Sequence, residues 1–85
     1  SYIFSQEIKS IVMKTLNQLP EQTKKVFIMN RFENKSGKEI AQTLDISVKG
    51  VDYHMNKALK ELRAALKDYL PILTWLCFMN PINKG

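Results

Sequence analysis

Residues 37–56 read GKEIAQTLDISVKGVDYHMN and contain two helical patterns separated by a short turn. The first pattern places three apolar side chains on one face, at Ile40, Ala41 and Leu44. The second does the same with Val51 and Met55, and Ile46 lies between the two patterns, where it can fill the turn. Two helices joined at a steep angle by three or four residues form a helix-turn-helix motif. The sequence therefore predicts this motif over residues 37–56.

Capping side chains set the predicted bounds of the two motif helices. Ser36 is followed three residues later by Glu39, the spacing of a capping box, so the first helix is predicted over Gly37–Leu44. Ser47 can cap the second helix, which is predicted over residues 48–70, until a proline follows.

Two further helices are predicted before the motif. One spans residues 5–18, with Ser5 as its N-cap and an apolar stripe at helical spacing. The members of this stripe are Ile8, Ile11, Val12, Thr15, Leu16 and Leu19. The other spans residues 20–32, because Pro20 suits the first turn of a helix, where its missing N–H costs nothing. Its predicted buried side chains are Val26, Phe27, Met29 and Phe32.

The predicted fold class is all-α: a four-helix, wing-less helix-turn-helix domain over residues 1–70, followed by an apolar tail over residues 71–85. The apolar run LPILTWLCFM, residues 70–79, is too short to span a bilayer, which needs about 20 apolar residues. Three roles stay open for it. It covers the open end of the core, it presents Trp75 and Phe78 to a partner protein, or it mediates self-association.

The charge of the chain favours a polyanionic partner. Thirteen Lys and Arg against eight Asp and Glu give a net charge of +5 and a pI near 9.5. Ten of these basic and five of these acidic residues lie between positions 24 and 67, around the motif. A basic domain of this size is typical of nucleic-acid binding, although charge alone is only supporting evidence.

The sequence offers little enzyme chemistry, and we predict no enzyme, metal or cofactor. Cys77 is the one cysteine, and no Cys/His cluster has metal-ligand spacing. His54 is expected at the edge between a buried and a basic helix side, as a packing or surface group rather than a base. No signal peptide is visible. We therefore expect a cytoplasmic, not membrane-inserted protein, and the start at Ser1 indicates a fragment of a longer chain.

The last predicted helix has one apolar and one basic side. At 100° per residue the apolar side consists of Val51, Met55, Ala58, Leu59, Leu62, Ala65, Leu66 and Tyr69. The other side carries Lys49, Asp52, Tyr53, Asn56, Lys57, Lys60, Arg63 and Lys67. Side chains nearest the helix start would go deepest into a DNA groove, so the predicted base-reading residues are Lys49, Asp52, Tyr53 and Asn56. A merely solvated helix side is the alternative interpretation.

Neighbouring side chains are predicted to contact the DNA backbone, which fixes register without reading sequence. Farther along the helix these are Lys57 and Lys60. At the entry of the preceding helix they are Lys35, Ser36 and Lys38, with Arg31 close by. For Arg31 the alternative is a surface ion pair with Glu33 or Glu39.

Residues 19–63 resemble region 4 of bacterial sigma factors of the sigma-70 superfamily. The carrying motifs are the opening Leu-Pro-Glu, the Arg-Phe-Glu before the loop, the Lys-Glu-Ile-Ala, and the run Ala-Leu-Lys-Glu-Leu-Arg. The likeness is closest to the extracytoplasmic-function branch, in its iron-citrate-type group.

The resemblance implies a promoter-binding module for transcription initiation. In that family the recognition helix reads the −35 element in the major groove while the domain docks on the flap of core RNA polymerase. By position match the DNA-contacting set here would be Ser47, Lys49, Asp52, Tyr53, Asn56 and Lys57. An anti-sigma factor is the natural further partner. The part that melts the −10 element is absent from these residues, so this chain alone is expected to bind or dock but not to start transcription.

Three residues depart from the family pattern. Asp45 stands where many members have a turn glycine, which predicts backbone strain. Gly50 replaces the usual Thr, at a cost of roughly 1 kcal/mol in helix propensity. Asp52 occupies a position that is often basic, where it can accept a hydrogen bond from a cytosine amino group.

Two other interpretations stay open. The turn ISVKGVDYH also resembles the DNA-binding domain of LuxR-type response regulators. The second of these interpretations is a protein-interaction domain without a DNA role. The apolar run over residues 70–79 supports it. Binding to core polymerase or its flap distinguishes a sigma module, whereas a response-regulator module binds dyad DNA as a dimer.

Overall fold

The computed structural model describes residues 6–69 of the 85-residue chain, and four helices occupy this range. They are α1 (Gln6–Gln18), α2 (Glu21–Arg31), α3 (Gly37–Leu44) and α4 (Val48–Ala65). No strand occurs between residues 6 and 69, which confirms the all-α prediction. The long helix α4 packs against each of the other three, and α2 also packs against α3. The predicted recognition helix is therefore also the centre of the fold.

One hydrophobic core fills the space between the helices. Its buried side chains are Ile8, Leu16, Val26, Phe27, Ile40, Ala41, Val51, Met55, Ala58, Leu59, Leu62 and Leu66. Partly buried against it lie Ile11, Val12, Leu19, Met29, Leu44, Ile46 and Tyr69. The predicted apolar stripes of α1, α3 and α4 are thus confirmed, apart from Ala65, which is exposed at the last residue of α4.

Helix α2 differs from the prediction at both ends. It begins at Glu21, because Pro20 has an extended backbone conformation (φ −54°, ψ 146°) and supplies only the carbonyl that accepts the first helical hydrogen bond. It ends at Arg31, and the predicted burial of Phe32 is wrong, since this side chain is 60% exposed. Phe32 instead meets Phe27 edge to face, with the ring centroids 6.1 Å apart.

The buried side of α2 includes two polar residues and does not include Phe32. Thr23 and Asn30 are fully buried beside Val26 and Phe27, because spacings of three and four residues bring all four to one side of the helix. Phe32 follows Asn30 by two residues, which turns it roughly 200° around the helix axis and away from the core. Polar groups thus take part in the contact between α2 and the rest of the fold.

Helix α4 ends at Ala65, so the prediction that it continues to residue 70 is wrong by more than a turn. Leu66 leaves helical geometry (φ −107°, ψ 14°), although its N–H still donates to the Leu62 carbonyl at 2.9 Å. The turn that follows returns the chain to α1, where the Tyr69 hydroxyl donates to Glu7 Oε2 at 2.6 Å. These two residues are 62 positions apart, so a tertiary contact rather than a local stop signal accompanies the end of the helix.

Several predictions for the chain ends lie outside the described residues. They concern the N-cap Ser5, residue 70, and the tail over residues 71–85 with Trp75 and Phe78. The boundary between domain and tail therefore stays a prediction.

Both ends of α3 follow local rules. Ser36 Oγ accepts from the Glu39 N–H at 3.2 Å and Glu39 Oε1 accepts from the Ser36 N–H at 2.9 Å, which confirms the capping box. At the other end Asp45 has a left-handed backbone (φ 54°, ψ 50°), and the Ile46 N–H donates to the Ala41 carbonyl at 3.0 Å. A side chain with a Cβ is disfavoured in this region, so the predicted strain lies at Asp45.

Asp45→Gly is expected to stabilise the domain by about 0.5–1 kcal/mol, because glycine adopts left-handed backbone without that steric cost. This gain corresponds to a rise in Tm of about 2–8 °C for a domain of this size, measured by thermal unfolding under circular dichroism. Asp45→Ala is the matched control: it removes the same charge but keeps the Cβ, and it is expected to lower Tm. Equal gains from both variants would assign the effect to charge instead of backbone conformation.

Candidate nucleic-acid interface

The N-terminal half of α4 carries four exposed polar side chains on the side opposite the core, here called the reading side. These are Lys49, Asp52, Tyr53 and Asn56, of which Tyr53 is 59% exposed. Seven positions separate the first from the last, so they span about 10 Å along the helix axis. The major groove of B-DNA is about 12 Å wide and admits an α-helix. The structure therefore brings the four predicted base-reading residues together on a surface that fits a groove.

An accessible side-chain cap holds the start of α4. Ser47 is exposed, and its Oγ accepts from the Gly50 N–H at 2.9 Å. The hydroxyl hydrogen stays available to an outside acceptor such as a phosphate oxygen. A Cβ at position 50 would lie 3.3 Å from Ser47 Oγ and 3.8 Å from Ile46 Cβ, so the glycine leaves the cap uncrowded.

Two lysines continue the same side of α4. Lys60 is exposed and Lys57 is half-buried. The Lys57 ammonium lies 5.9 Å from the centre of the Tyr53 ring, which is a cation–π arrangement. Because the two residues are four positions apart, helical spacing places their side chains within reach of each other. A positive charge thus accompanies the aromatic ring of the reading side.

Three predicted backbone contacts lie at the junction of α2 and α3. Lys38 is exposed and Lys35 is half-buried. The buried amide of Asn30 fixes this junction, since its Nδ2 donates to the Lys35 carbonyl at 2.8 Å. Ser36 is buried and both its Oγ and its N–H belong to the capping box, so it has the least access to a ligand.

Arg31, at the end of α2, is half-buried. Its Nε and Nη2 atoms are buried without a hydrogen-bond partner among residues 6–69, and burial lowers the pKa of its guanidinium. The alternative surface ion pair with Glu33 or Glu39 is not formed within this range. A buried unpaired donor costs about 1–3 kcal/mol, so Arg31 holds donors that water or a phosphate oxygen would satisfy if the side chain turned outward.

A hydrogen bond links α2 to the middle of α4. Thr23 Oγ1 lies 2.8 Å from His54 Nδ1, with Thr23 fully buried and His54 half-buried. The His54 ring also meets the Tyr53 ring edge to face, with centroids 5.2 Å apart and planes at 73°. The expected place of His54, at the edge between the buried and basic sides, is confirmed.

The surroundings of His54 lower its pKa below the ordinary value of 6.5, first because burial disfavours the charged ring and second because Lys57 repels it. When the folded state has the lower histidine pKa, the unfolded chain binds the proton first. His54 therefore contributes stability that is complete above about pH 6.5 and is lost as the pH falls through its folded pKa.

Lys57→Met is expected to raise the pKa of His54, because it removes the charge and keeps an aliphatic chain of similar length. The measurement is a pH titration of the His54 ring protons by NMR. Lys14→Met, an exposed position on α1, is the control and should leave the titration unchanged. A pKa that stays the same in Lys57→Met would leave burial as the only cause of the shift.

Sequence reasoning assigns no role to Thr23 or Asn30. A usable signal exists, because both lie three or four positions from Val26 and Phe27, on the apolar side of α2. A polar residue at such a position is typical of a buried group with a hydrogen-bond partner. Those partners come from a loop and from another helix, so no spacing rule along α2 identifies them.

The groups assembled here suit nucleic-acid contacts. Ammonium, guanidinium, carboxamide and phenol groups, with one carboxylate, can bond to base edges and phosphates. Within residues 6–69 no cluster of His, Cys, Asp and Glu is arranged to hold a metal ion. No helix in the part of the chain that the structure describes is long and apolar enough to cross a membrane.

Comparison with known proteins identifies the family of this arrangement. Residues 9–62 match the family model described as sigma-70, region 4, which includes the whole helix-turn-helix motif. No curated protein and no solved structure matches the chain. The match confirms the superfamily inferred from residues 19–63 and disfavours the LuxR-type alternative. Because the match covers more than half of the chain, this protein belongs to the sigma-70 region 4 family, a family of DNA-binding domains of sigma factors and not of enzymes.

Proposed function

We propose that this domain binds the −35 element of bacterial promoters with the N-terminal half of α4 in the major groove. The observation that carries the proposal is the exposure of the whole reading side while the opposite side of the same helix forms the core. Asn56 can make paired hydrogen bonds to adenine, and Lys49 can donate to guanine. Asp52 can accept from a cytosine amino group, and Tyr53 can pack on a thymine methyl group or reach a phosphate.

Side chains around the reading side hold the DNA backbone in this proposal. The proposed contacts are Arg31, Lys35, Ser36, Lys38, Ser47, Lys57 and Lys60. They come from three places: the start of α4 at Ser47, the continuation of α4, and the α2–α3 junction. Contacts on both sides of the recognition helix would fix its register in the groove without reading sequence.

We propose further that the domain docks on the flap of core RNA polymerase in the bacterial cytoplasm. Family membership supports the polymerase as partner. The motifs between residues 19 and 63 support an extracytoplasmic-function sigma factor as the parent, with an anti-sigma factor as regulator. Titration of the chain with an isolated flap fragment tests the docking, and an absence of binding at high micromolar concentration would contradict it.

Selection from a randomised DNA duplex tests the DNA assignment. The full chain, immobilised, is expected to enrich one short motif over successive rounds. Footprinting with the parent protein and core polymerase should then place that motif in the upstream element of a promoter. Uniform recovery of all sequences would leave only non-specific binding and would contradict the proposed reading of bases.

Lys57→Ala is expected to weaken binding to all DNA sequences alike, because it removes a phosphate contact. The slope of log K against log salt should fall by about 0.9, the value for one phosphate contact on B-DNA. Fluorescence anisotropy with a labelled duplex at several salt concentrations measures it. Lys14→Ala makes the same charge change on the exposed side of α1 and should leave the slope unchanged. An equal drop for both variants would show a net-charge effect without a specific contact.

A further inference from the structure

A chain of four side chains runs from the interior of α2 to the surface of α4. Thr23, which is fully buried, is hydrogen-bonded to His54 Nδ1 at 2.8 Å. The His54 ring contacts the Tyr53 ring at 5.2 Å between centroids, and the Lys57 ammonium lies 5.9 Å from the centre of that same Tyr53 ring. The inner end of this chain is fixed by packing, and its outer end belongs to the proposed DNA contacts.

Each link restricts the next one. A fully buried residue in a helix has little freedom, so the hydrogen bond fixes the rotation of the His54 ring. Edge-to-face contact favours one position of the Tyr53 ring, whose side chain is otherwise 59% exposed and has two free torsions. Lys57 then has a preferred place over that ring. Long exposed side chains lose less entropy on binding when they are held in advance.

We propose that Thr23 and His54 are positioning residues that hold Tyr53 and Lys57 in the orientation needed for DNA contact. Neither residue touches DNA in this proposal. The predicted effect of these residues on DNA binding rests on the proposed function. Their effect on the orientation of Tyr53 and Lys57 does not depend on it. The two parts can therefore be measured separately.

Thr23→Val is the main variant, because it keeps the shape of the side chain and removes the hydroxyl. Thr23→Ser keeps the hydroxyl and is the rescue variant. His54→Asn keeps a polar atom near the place of Nδ1 but removes the ring from Tyr53. His54→Asn replaces Thr23→Val as the main variant if Thr23→Val fails to fold. Circular dichroism with thermal unfolding shows whether each of the three variants folds.

The first measurement is NMR of the free protein. In the unchanged chain we expect cross-peaks between the Tyr53 and His54 rings and an upfield ring-current shift of the Lys57 ε-methylene protons. Both signals should be lost in Thr23→Val and in His54→Asn and retained in Thr23→Ser. A folded Thr23→Val with both signals intact would overturn the proposal and leave Thr23 a structural residue.

The second measurement is the ratio of affinities for selected and random duplexes. In Thr23→Val this ratio should fall about threefold to tenfold, because the Tyr53 side chain must then be ordered on binding, at the entropy cost of one immobilised side chain. Thr23→Ser should keep the ratio of the unchanged chain. Altered NMR signals with an unchanged ratio would overturn the inference while the proposed function stands. No preference of the unchanged chain for any duplex would instead contradict the proposed function, and the NMR result would still decide the positioning.

Discussion

Val51→Asp is expected to unfold the domain. Val51 is fully buried on the core side of α4, in the same cluster as Ile40, Met55 and Leu59. An uncompensated charge at such a site costs about 3–5 kcal/mol, and the loss of the buried valine side chain adds about 1.5–3 kcal/mol. Small domains have a total stability of about 5–15 kcal/mol, and one of 85 residues lies at the low end of that range. The variant should therefore lose most of its helical signal in circular dichroism at 25 °C and neutral pH.

Val48→Asp is the matched control, since it introduces the same carboxylate three positions earlier in the same helix. Val48 is 51% exposed and lies in the first turn of α4, where a negative charge interacts favourably with the helix dipole. It should melt close to the unchanged chain or slightly above it. A normal urea midpoint for Val51→Asp would show that the inward side of α4 is assigned wrongly.

Asn56→Ala is expected to relax the sequence preference at one base pair. A bidentate amide–adenine contact discriminates between bases by about 1–3 kcal/mol. The ratio of affinities for the preferred base and the other three should therefore fall roughly 5- to 150-fold. Asn56 is exposed on α4 away from the core, so the substitution should leave Tm almost unchanged. Competition binding with the four duplexes that differ at that base pair measures the effect.

Asn17→Ala removes the same amide from α1, where Asn17 Oδ1 accepts from Lys24 Nζ at 2.7 Å on the surface. It should change the affinities for all duplexes equally or not at all. If Asn56→Ala weakens binding to every duplex by the same factor, Asn56 is a backbone contact and the direct reading of a base by this residue is wrong.

Local chemistry predicts the motif well. Ser36 and Glu39 form a capping box and Ser47 caps the next helix at Gly50, each over three positions, so both helix starts are encoded next to where they occur. The turn residue Asp45 is left-handed as its place in the pattern predicts. Helical spacing also separates the two sides of α4, which is why the exposure of Tyr53 follows from sequence.

Contacts between distant residues were not predictable. Helix α4 ends early, beside a contact between Tyr69 and Glu7, and no signal near residue 65 announces that contact. The bond between Thr23 and His54 likewise joins positions 31 apart. The apolar character of Phe32 predicts burial, although its angle around α2 places it outside. That the reading side contacts DNA bases, and which bases these are, stays a prediction.

Under the proposed function, the double use of α4 separates most of the promoter preference from folding. Changes at exposed helix positions usually alter stability by less than about 0.5 kcal/mol, whereas changes at its buried positions cost several times more. The exposed residues of α4 can therefore differ between paralogues while its buried residues stay the same. Exchanging only positions 49, 52, 53 and 56 should retarget the domain to a different promoter set without redesigning its interior.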